Sequence, residues 1–262
     1  MKYKIHVYVV CWNEMDIVPF VIDYWKRFAE KVIVYDNGSD DGTLELLSQY
    51  SWIEVRHFDT NGFDDTANMN IKNQAWKESR GKADFVVVGD MDECLYSPVL
   101  EQELDYMKAN DMTMYGPRQY TLQGDCYPEY QSGKLLHEII TRVRFQKSHH
   151  SKWCDTSGKL MLFDPNKIEE TNYSPGCHTT NPIGKVKLYD RDKIFCIHIN
   201  RGYGADYNIK RSRILQNRNS PENKRKGFAV HYSFSDERIR SDYQKGVARS
   251  VNFLDILNET FN

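Results

Sequence analysis

The chain has 262 residues, of which 40% are hydrophobic and 27% charged, and its formal net charge is −2 at pH 7. This composition fits one α/β domain, or a domain with a subdomain, and the nearly balanced charge excludes the basic character of a typical nucleic-acid-binding protein. No apolar run reaches the roughly 18 residues of a membrane-spanning helix. The six cysteines are scattered without a CxxC pair, so we expect free thiols in a reducing cytoplasm rather than zinc or disulfide scaffolds.

The first part of the chain alternates segments typical of strands and of helices. In chain order we predict strands at 4–10, 31–36, 52–58 and 84–90, separated by helices at 16–29, 41–50 and 64–79. The start of the chain lacks a signal-peptide cleavage site, so it is interpreted as the first strand. Asp41 or Ser39 is predicted to cap the second helix. The alternation indicates an α/β fold with a Rossmann-like, mostly parallel sheet and helices on both faces.

The part after about residue 110 is less regular. Strands or short amphipathic pieces are predicted within 116–130, 133–145, 157–165, 184–190 and 192–200. With no repeat and no clear linker, residues 1–262 are predicted to form a single domain, in which 1–110 bind a nucleotide and 111–262 shape an acceptor site. The basic stretch 210–227 is interpreted as a solvated loop, a phosphate-binding segment or a contact with an anionic membrane surface.

Acidic and polar residues follow each predicted parallel strand. The strand ends read CWNE, DNGSDDGT, FDTNG and GDMDE, and in such sheets ligands bind beyond the carboxyl ends of the strands. Asp90 and Asp92 stand at i and i+2 after a buried strand, so both carboxylates can approach one hard cation that also binds substrate phosphates. Alone, such a pair is more often a solvated turn. Asp36 likewise fits either a contact to a base or ribose, or an ordinary turn with a helix cap.

Four motifs together resemble a known family. VCWNE, VIVYDNGSDDGT, KNQAWKES and VVVGDMDE match, in order and spacing over residues 5–96, the glycosyltransferases of the GT-A fold, family 2 type, in the branch whose acidic motif is D-x-D-E. The later pieces KLMLFDPNKI, PGCHTTNP and HINRGYGADYNIKR resemble the family's lysine-bearing strand, histidine loop, and strand-end histidine followed by a basic helix. The resemblance implies the GT-A fold.

The resemblance also implies an activity and a setting. The enzyme would move a sugar from a nucleotide sugar, expected to be UDP-linked, to a hydroxyl of a saccharide or lipid-linked saccharide. The process would be the synthesis of bacterial surface polysaccharide, such as capsule or lipopolysaccharide. It would act in the cytoplasm, with peripheral contact at the inner face of the cell membrane.

The resemblance assigns roles to individual residues. The nucleotide-sugar site would comprise Cys11, Trp12, Asn13, Glu14, Asp36, Asn37, Asp65, Asn73, Asp90, Met91, His178 and Lys210. A Mn²⁺ or Mg²⁺ ion would be held by Asp90, Asp92 and His198. The catalytic base is predicted to be Asp155, with Asp125, Glu129 and Glu138 as alternatives, and a retaining mechanism follows if none of them serves. His231 is a further site candidate, and Trp153 and Tyr127 are candidates for stacking on the acceptor sugar. Positive charge for the leaving diphosphate would come from Arg201, Lys210, Arg211 and Arg213.

Three other functions compete with this interpretation. A sugar nucleotidyltransferase shares the fold and the metal, but its glycine-rich loop near the first strand is replaced here by CWNEMD. A phosphatase with an aspartate nucleophile would carry its D-x-D after the first strand, whereas here it follows the fourth. A non-catalytic nucleotide- or sugar-binding module remains open, because binding and turnover use the same pocket.

Overall fold

The computed structural model describes residues 1–146, 159–177, 179–199 and 203–262. Its strands are β1 (Ile5–Cys11), β2 (Lys31–Asp36), β3 (Ile53–His57), β4 (Phe85–Asp90), β5 (Glu93–Tyr96), β6 (Met114–Tyr115), β7 (Arg118–Leu122), β8 (Arg142–Gln146), β9 (Leu162–Phe163), β10 (Ile168–Glu170), β11 (Ile183–Gly184), β12 (Phe195–His198) and β13 (Val251–Asn252). Its α-helices are α1 (Val18–Trp25), α2 (Thr43–Leu47), α3 (Asp65–Gln74), α4 (Leu100–Ala109), α5 (Leu136–Ile139), α6 (Ala205–Arg218), α7 (Pro221–Lys226), α8 (Asp236–Ala248) and α9 (Phe253–Phe261). Within these described residues, 3₁₀-helices lie at Ala75–Ser79, Pro175–Cys177 and Val230–Ser233.

The main sheet has the strand order β3-β2-β1-β4-β9-β6 among the described strands. Its first four strands are parallel, and β9 runs antiparallel to both of its neighbours. Alternate residues of β1 face opposite sides, as the period of two requires. Val7 packs into the core that contains α1, whereas Tyr8 packs on the other face with Trp76, which follows α3. The predicted α/β class, with helices on both faces of a mostly parallel sheet, is confirmed.

The second sheet has the order β13-β8-β7-β12-β5, in which β12 runs parallel to β7 and the other pairs are antiparallel. The two sheets do not separate at residue 110, the predicted boundary between the two parts of the chain. Strand β5 lies before that residue but belongs to the second sheet, whereas β6 and β9 lie after it and belong to the main sheet. The chain leaves the main sheet at Asp90, the last residue of β4, and enters the second at Glu93, the first residue of β5. The acidic motif GDMDE therefore lies where the two sheets meet.

Several predicted elements differ in length or type. The helix predicted at 16–29 spans only Val18–Trp25, and the helix predicted at 64–79 ends at Gln74 and continues as a 3₁₀-helix. The predicted caps of α2 were wrong, because its N-cap is Gly42 with φ +95°, a conformation that glycine adopts at low cost. Asp41 instead accepts hydrogen bonds from the backbone of Thr43 and Met15 at 3.0 Å each, joining this turn to the loop after β1.

The last part of the chain is helical. The basic stretch 210–227 belongs to α6 and α7 rather than to a solvated loop, which corrects that interpretation. Helix α9 covers the second sheet through Phe253, a fully buried side chain that contacts Tyr120 and Phe195. None of the described helices is long and apolar enough to span a membrane.

Candidate functional site

A cleft of about 680 Å³ opens at the carboxyl ends of β1, β2 and β4. Parallel pairing aligns these ends, since Cys11 lies opposite Asp36 and Val10 lies opposite Asp90. Helix α6 and the 3₁₀-helix Val230–Ser233 line the cleft from the other side. The cleft thus lies at the sheet edge that the strand-end motifs predicted.

Two buried lysines bind Asp90 at the centre of the cleft. The Nζ atom of Lys72, on α3, donates to Oδ1, and the Nζ atom of Lys159, just before β9, donates to Oδ2 at 2.5 Å. The two lysine side chains are only 5% and 9% exposed. Burial by itself would raise the pKa of Asp90, but the charges of Lys159 and Lys72 outweigh it and hold that pKa below its usual value. Burial likewise works against the ammonium forms, yet the Asp90 carboxylate raises the pKa of both lysines. All three groups are therefore charged.

Asp92 pairs with His198, a residue that the family resemblance had placed in the same site. The Oδ2 atom of Asp92 lies 3.2 Å from Nε2 of His198. Antiparallel pairing of β5 with β12 sets this geometry, because it places His198 opposite Glu93. Burial disfavours the imidazolium, but the Asp92 carboxylate outweighs it and raises the pKa of His198. In the same way, the opposing charge of His198 overcomes the effect of burial and lowers the pKa of Asp92.

Glu93 completes a charged group around the D-x-D-E motif. Its Oε1 atom lies 2.8 Å from Nζ of Lys159, and its Oε2 atom accepts a hydrogen bond of 3.2 Å from the backbone of Asp90. The carboxylate is nearly fully buried. Glu93 therefore fixes the position of Lys159 relative to Asp90.

The arrangement of these side chains does not fit a divalent cation. Hard cations such as Mg²⁺ and Mn²⁺ need several oxygen ligands at once. Here both carboxylate oxygens of Asp90 accept hydrogen bonds from ammonium groups, and Asp92 is paired with His198. Within the part of the chain that the structure describes, no group of three or more His, Cys, Asp or Glu side chains could hold a metal ion. The lysines occupy the positions around Asp90 that a bound cation would need.

Arg211, on α6, binds the loop that follows β1. Its Nη1 atom donates to the carbonyl oxygen of Asn13 at 2.7 Å, and its Nη2 atom donates to Oε1 of Glu14 at 2.5 Å. Both Glu14 and Arg211 line the cleft. Arg211 was among the predicted cations, whereas Lys210 and Arg213, predicted with it, do not line the cleft, and Lys210 is exposed. The helical turn thus directs Arg211 inward and Lys210 outward.

Arg218, at the end of α6, binds both the β1 and β2 ends of the cleft. Its guanidinium carbon lies 4.0 Å from the ring centroid of Trp12, and its Nη2 atom donates to the backbone oxygen of Asn37 at 2.6 Å. A guanidinium over an indole face is a cation–π contact. Trp12 and Asn37 are therefore held in place by a residue that lies 181 positions after Asn37 in the chain.

Asp36 organises the loop after β2. Its side chain is fully buried, and it accepts hydrogen bonds from the backbone of Gly38 at 2.9 Å and from Oγ of Ser39 at 2.5 Å. The Oγ atom of Ser39 in turn accepts a hydrogen bond of 2.8 Å from the backbone of Asn13. Asn37 lines the cleft, whereas Asp36 itself does not. Direct contact of Asp36 with a base or ribose stays a prediction.

The remaining predicted residues divide into two groups. Cys11, Met91 and Asp65 line the cleft. Burial and the nearby Asp90 raise the pKa of Asp65. Asn73 does not line the cleft, because its side chain binds the 171–173 segment, with Nδ2 donating to the carbonyl oxygen of Tyr173 at 3.1 Å.

The predicted catalytic base, Asp155, lies outside the described residues, as do His178, Trp153 and Arg201. Of the alternatives, Asp125 pairs with Arg142, and Glu138 accepts a hydrogen bond of 2.6 Å from the backbone of Leu135. Glu129 is exposed. None of these three alternatives lines the cleft.

Other cleft residues were not anticipated as nucleotide ligands. The most prominent are Lys72, Gln119, Thr121, Arg144, Lys159, Cys177, Arg218 and Tyr232. Lys72 carried a usable signal, since it lies seven residues after Asp65 and so on the same face of the predicted helix. The others all come from the irregular second part of the chain, where spacing alone does not indicate which side chains converge. The candidate His231 does line the cleft.

Comparisons with known proteins give one family match and several similar solved structures. The sequence matches the family profile described as "Glycosyl transferase family 2" over residues 6–170. Among curated proteins none matches with significance. The solved structure of S. aureus TarS 1–349 is similar at 12% identity, with a TM-score of 0.46, over 92% of this chain and 70% of that chain. Its complex with UDP-GlcNAc is similar at 12% identity, with a TM-score of 0.43, over 92% and 71%. The structure of 4-diphosphocytidyl-2C-methyl-D-erythritol synthase is similar at 13% identity, with a TM-score of 0.37, over 63% and 77%.

Proposed function

The chain belongs to glycosyl transferase family 2 and is a glycosyltransferase of the GT-A fold, and from this premise we propose that its cleft binds a UDP-sugar. The sugar, a hexose or hexose derivative, is transferred to a hydroxyl of a saccharide or lipid-linked saccharide. Residues 1–110 supply most of the nucleotide site, and residues 111–262 supply the acceptor site. The proposed setting is bacterial surface polysaccharide synthesis, such as that of capsule or lipopolysaccharide, on the cytoplasmic side of the membrane.

One observation carries this proposal. Five cationic side chains of the described residues converge on one cleft at the carboxyl edge of the sheet, namely Lys72, Arg144, Lys159, Arg211 and Arg218. In sugar transfer the acceptor oxygen attacks the anomeric carbon, and the bond from that carbon to the diphosphate oxygen breaks. The departing nucleoside diphosphate gains negative charge, which fixed cations stabilise most when they are already in position.

The reaction also needs a group that takes the proton of the acceptor hydroxyl. Asp155 remains the predicted base. Members of this family commonly use divalent metal ions. A Mn²⁺ or Mg²⁺ ion at Asp90, Asp92 and His198 also remains a prediction, and the lysine contacts of Asp90 do not support it.

The test is binding followed by turnover. Thermal unfolding of the chain is measured with UDP-, GDP-, CMP- and dTDP-sugars, and donors that bind are then assayed for transfer to saccharide acceptors. A UDP-sugar is expected to raise the unfolding midpoint, because a ligand at 100 times its Kd stabilises the folded state by about 2.7 kcal/mol. If none of the nucleotide sugars binds, the proposal is wrong. Binding without transfer to any acceptor would favour the non-catalytic binding module.

A further inference from the structure

Lys72 and Lys159 approach Asp90 from different elements and bind different oxygens of the same carboxylate. Lys159 is held a second time by Glu93, at 2.8 Å. The four side chains, two cationic and two anionic, form what we call the lysine clamp. Because both ammonium groups are buried and each is paired, their positions are set before any ligand arrives.

The charges of the lysine clamp already cancel. A divalent cation at Asp90 would have to displace both ammonium groups from the carboxylate oxygens or lie against them with like charge. Displacement would leave two buried lysines without their partner, which is costly in a region of low dielectric. The clamp therefore opposes a metal ion at the first aspartate of the motif.

The lysine clamp can nevertheless bind an anion. An ammonium group has three donors. Lys72, which donates to Asp90, keeps two of them for a second acceptor, and Lys159, which binds both Asp90 and Glu93, keeps one. Both lysines border the cleft, and Arg211 and Arg218 line the same cavity. A diphosphate that enters here meets cations that are already fixed in position, the arrangement that stabilises a developing charge best.

We infer that Lys72 and Lys159 take the place of a divalent cation and bind the diphosphate of the nucleotide directly. This inference rests on the proposed function, since it assigns the charge partner of the same nucleotide. It predicts that nucleotide binding does not depend on a metal ion. It also predicts that the two lysines contribute to affinity by binding the phosphate groups directly, and not only by holding Asp90 in position.

The experiment is isothermal titration of the chain with UDP, once in EDTA and once with excess Mn²⁺. The Kd is expected to differ by less than about threefold between the two conditions. Lys72→Gln and Lys159→Gln are each expected to raise the Kd in EDTA by about tenfold or more, because each removes charge-assisted hydrogen bonds to phosphate. Lys82→Gln, which removes an exposed lysine remote from the cleft, serves as the matched control and should leave the Kd unchanged.

The outcomes separate this inference from the proposed function. UDP binding that appears only with Mn²⁺ would overturn the lysine clamp as the diphosphate site while leaving the glycosyltransferase proposal intact. Absence of binding to UDP and to every other nucleotide, in both conditions, would contradict both this inference and the proposed function. If the glutamine variants lose stability, the comparison of wild-type binding in EDTA and in Mn²⁺ still tests the inference without them. Lys159→Arg is a further variant that keeps the positive charge. If Lys159→Arg binds no better than Lys159→Gln, the charge of residue 159 is not what binds phosphate.

Discussion

At the scale of single residues, Arg218 joins three parts of the site. Its guanidinium packs on Trp12 and binds Asn37, while its own carbonyl oxygen accepts a hydrogen bond of 2.6 Å from the backbone of Phe63. This last contact requires the chain to pass very close to Gly62. A Cβ atom at Gly62 would lie 2.2 Å from the carbonyl oxygen of Arg218, and the φ of Gly62 is +89°. Glycine is needed here for both space and conformation.

Gly62→Ala is therefore expected to displace the end of α6 and to weaken nucleotide binding as well as stability. The matched control is Gly81→Ala, because Gly81 also has a positive φ but its added Cβ would meet nothing within 4 Å. The control should show only the conformational cost of about 1–2 kcal/mol, whereas Gly62→Ala should exceed it. Urea unfolding and nucleotide titration of both variants measure the difference. Equal losses in the two variants would show that the contact with Arg218 is unimportant.

At the scale of elements, α5 is joined to the core through a buried histidine. His137 is 1% exposed, and its Nδ1 atom lies 2.8 Å from Oη of Tyr24 on α1. Its ring also contacts Tyr96 at the end of β5 and Phe253 at the start of α9. Burial, with a smaller effect from Arg27, lowers the pKa of His137 to about 3. The histidine is therefore neutral in the folded state over most of the accessible pH range.

This burial predicts a loss of stability in acid. Between its ordinary pKa of 6.5 and about 3, His137 is protonated only in the unfolded chain. Stability from this group is therefore present above pH 6.5 and declines as pH falls toward 3, by up to about 1.4 kcal/mol per pH unit. His137→Gln, which keeps polar atoms near Tyr24, should flatten that decline in urea unfolding measured from pH 7 to pH 4. Parallel curves for the variant and the wild type would contradict the assignment.

At the scale of the whole molecule, two sheets share one core and meet at the acidic motif. The main core continues from α1 and β1 through β5 and β12 to Phe253. Phe253 is fully buried and contacts Phe195 and Tyr120 of the second sheet. Because one continuous core supports both sheets, we expect them to unfold together.

Phe253→Ala tests whether the two sheets unfold together. Removing a fully buried phenylalanine is expected to cost about 3–5 kcal/mol. Nucleotide affinity should stay within about twofold of the wild-type value, since Phe253 does not line the cleft. Fluorescence and far-ultraviolet circular dichroism should report the same unfolding midpoint in urea, the behaviour of a cooperative domain. Separate transitions for the two signals would show that the sheets are independent.

Local sequence patterns were enough to predict the parallel strands β1 to β4 and the sheet edge at which they end. Strands β1 to β4 were predicted almost to the residue, because short apolar runs bounded by polar motifs are a local signal. The polar motifs that follow these strands also predicted the edge of the sheet at which Cys11, Asp90 and Asp92 lie together. The family resemblance, not the residue pattern, supplied His198, whose approach to Asp92 depends on strand pairing more than 100 positions away.

The charges that surround those residues come from elements far apart in the chain, so their positions depend on how the elements pack. Lys159 and Arg218 reach the cleft from distant segments, and nothing in their local spacing distinguishes them from exposed cations such as Lys210. The D-x-D pattern predicted a metal ion because carboxylates at a strand end commonly bind one. The structure places two buried ammonium groups on Asp90 instead. Packing between distant elements decides which side chain pairs with a buried charge. The spacing of residues along a single sequence does not show these contacts.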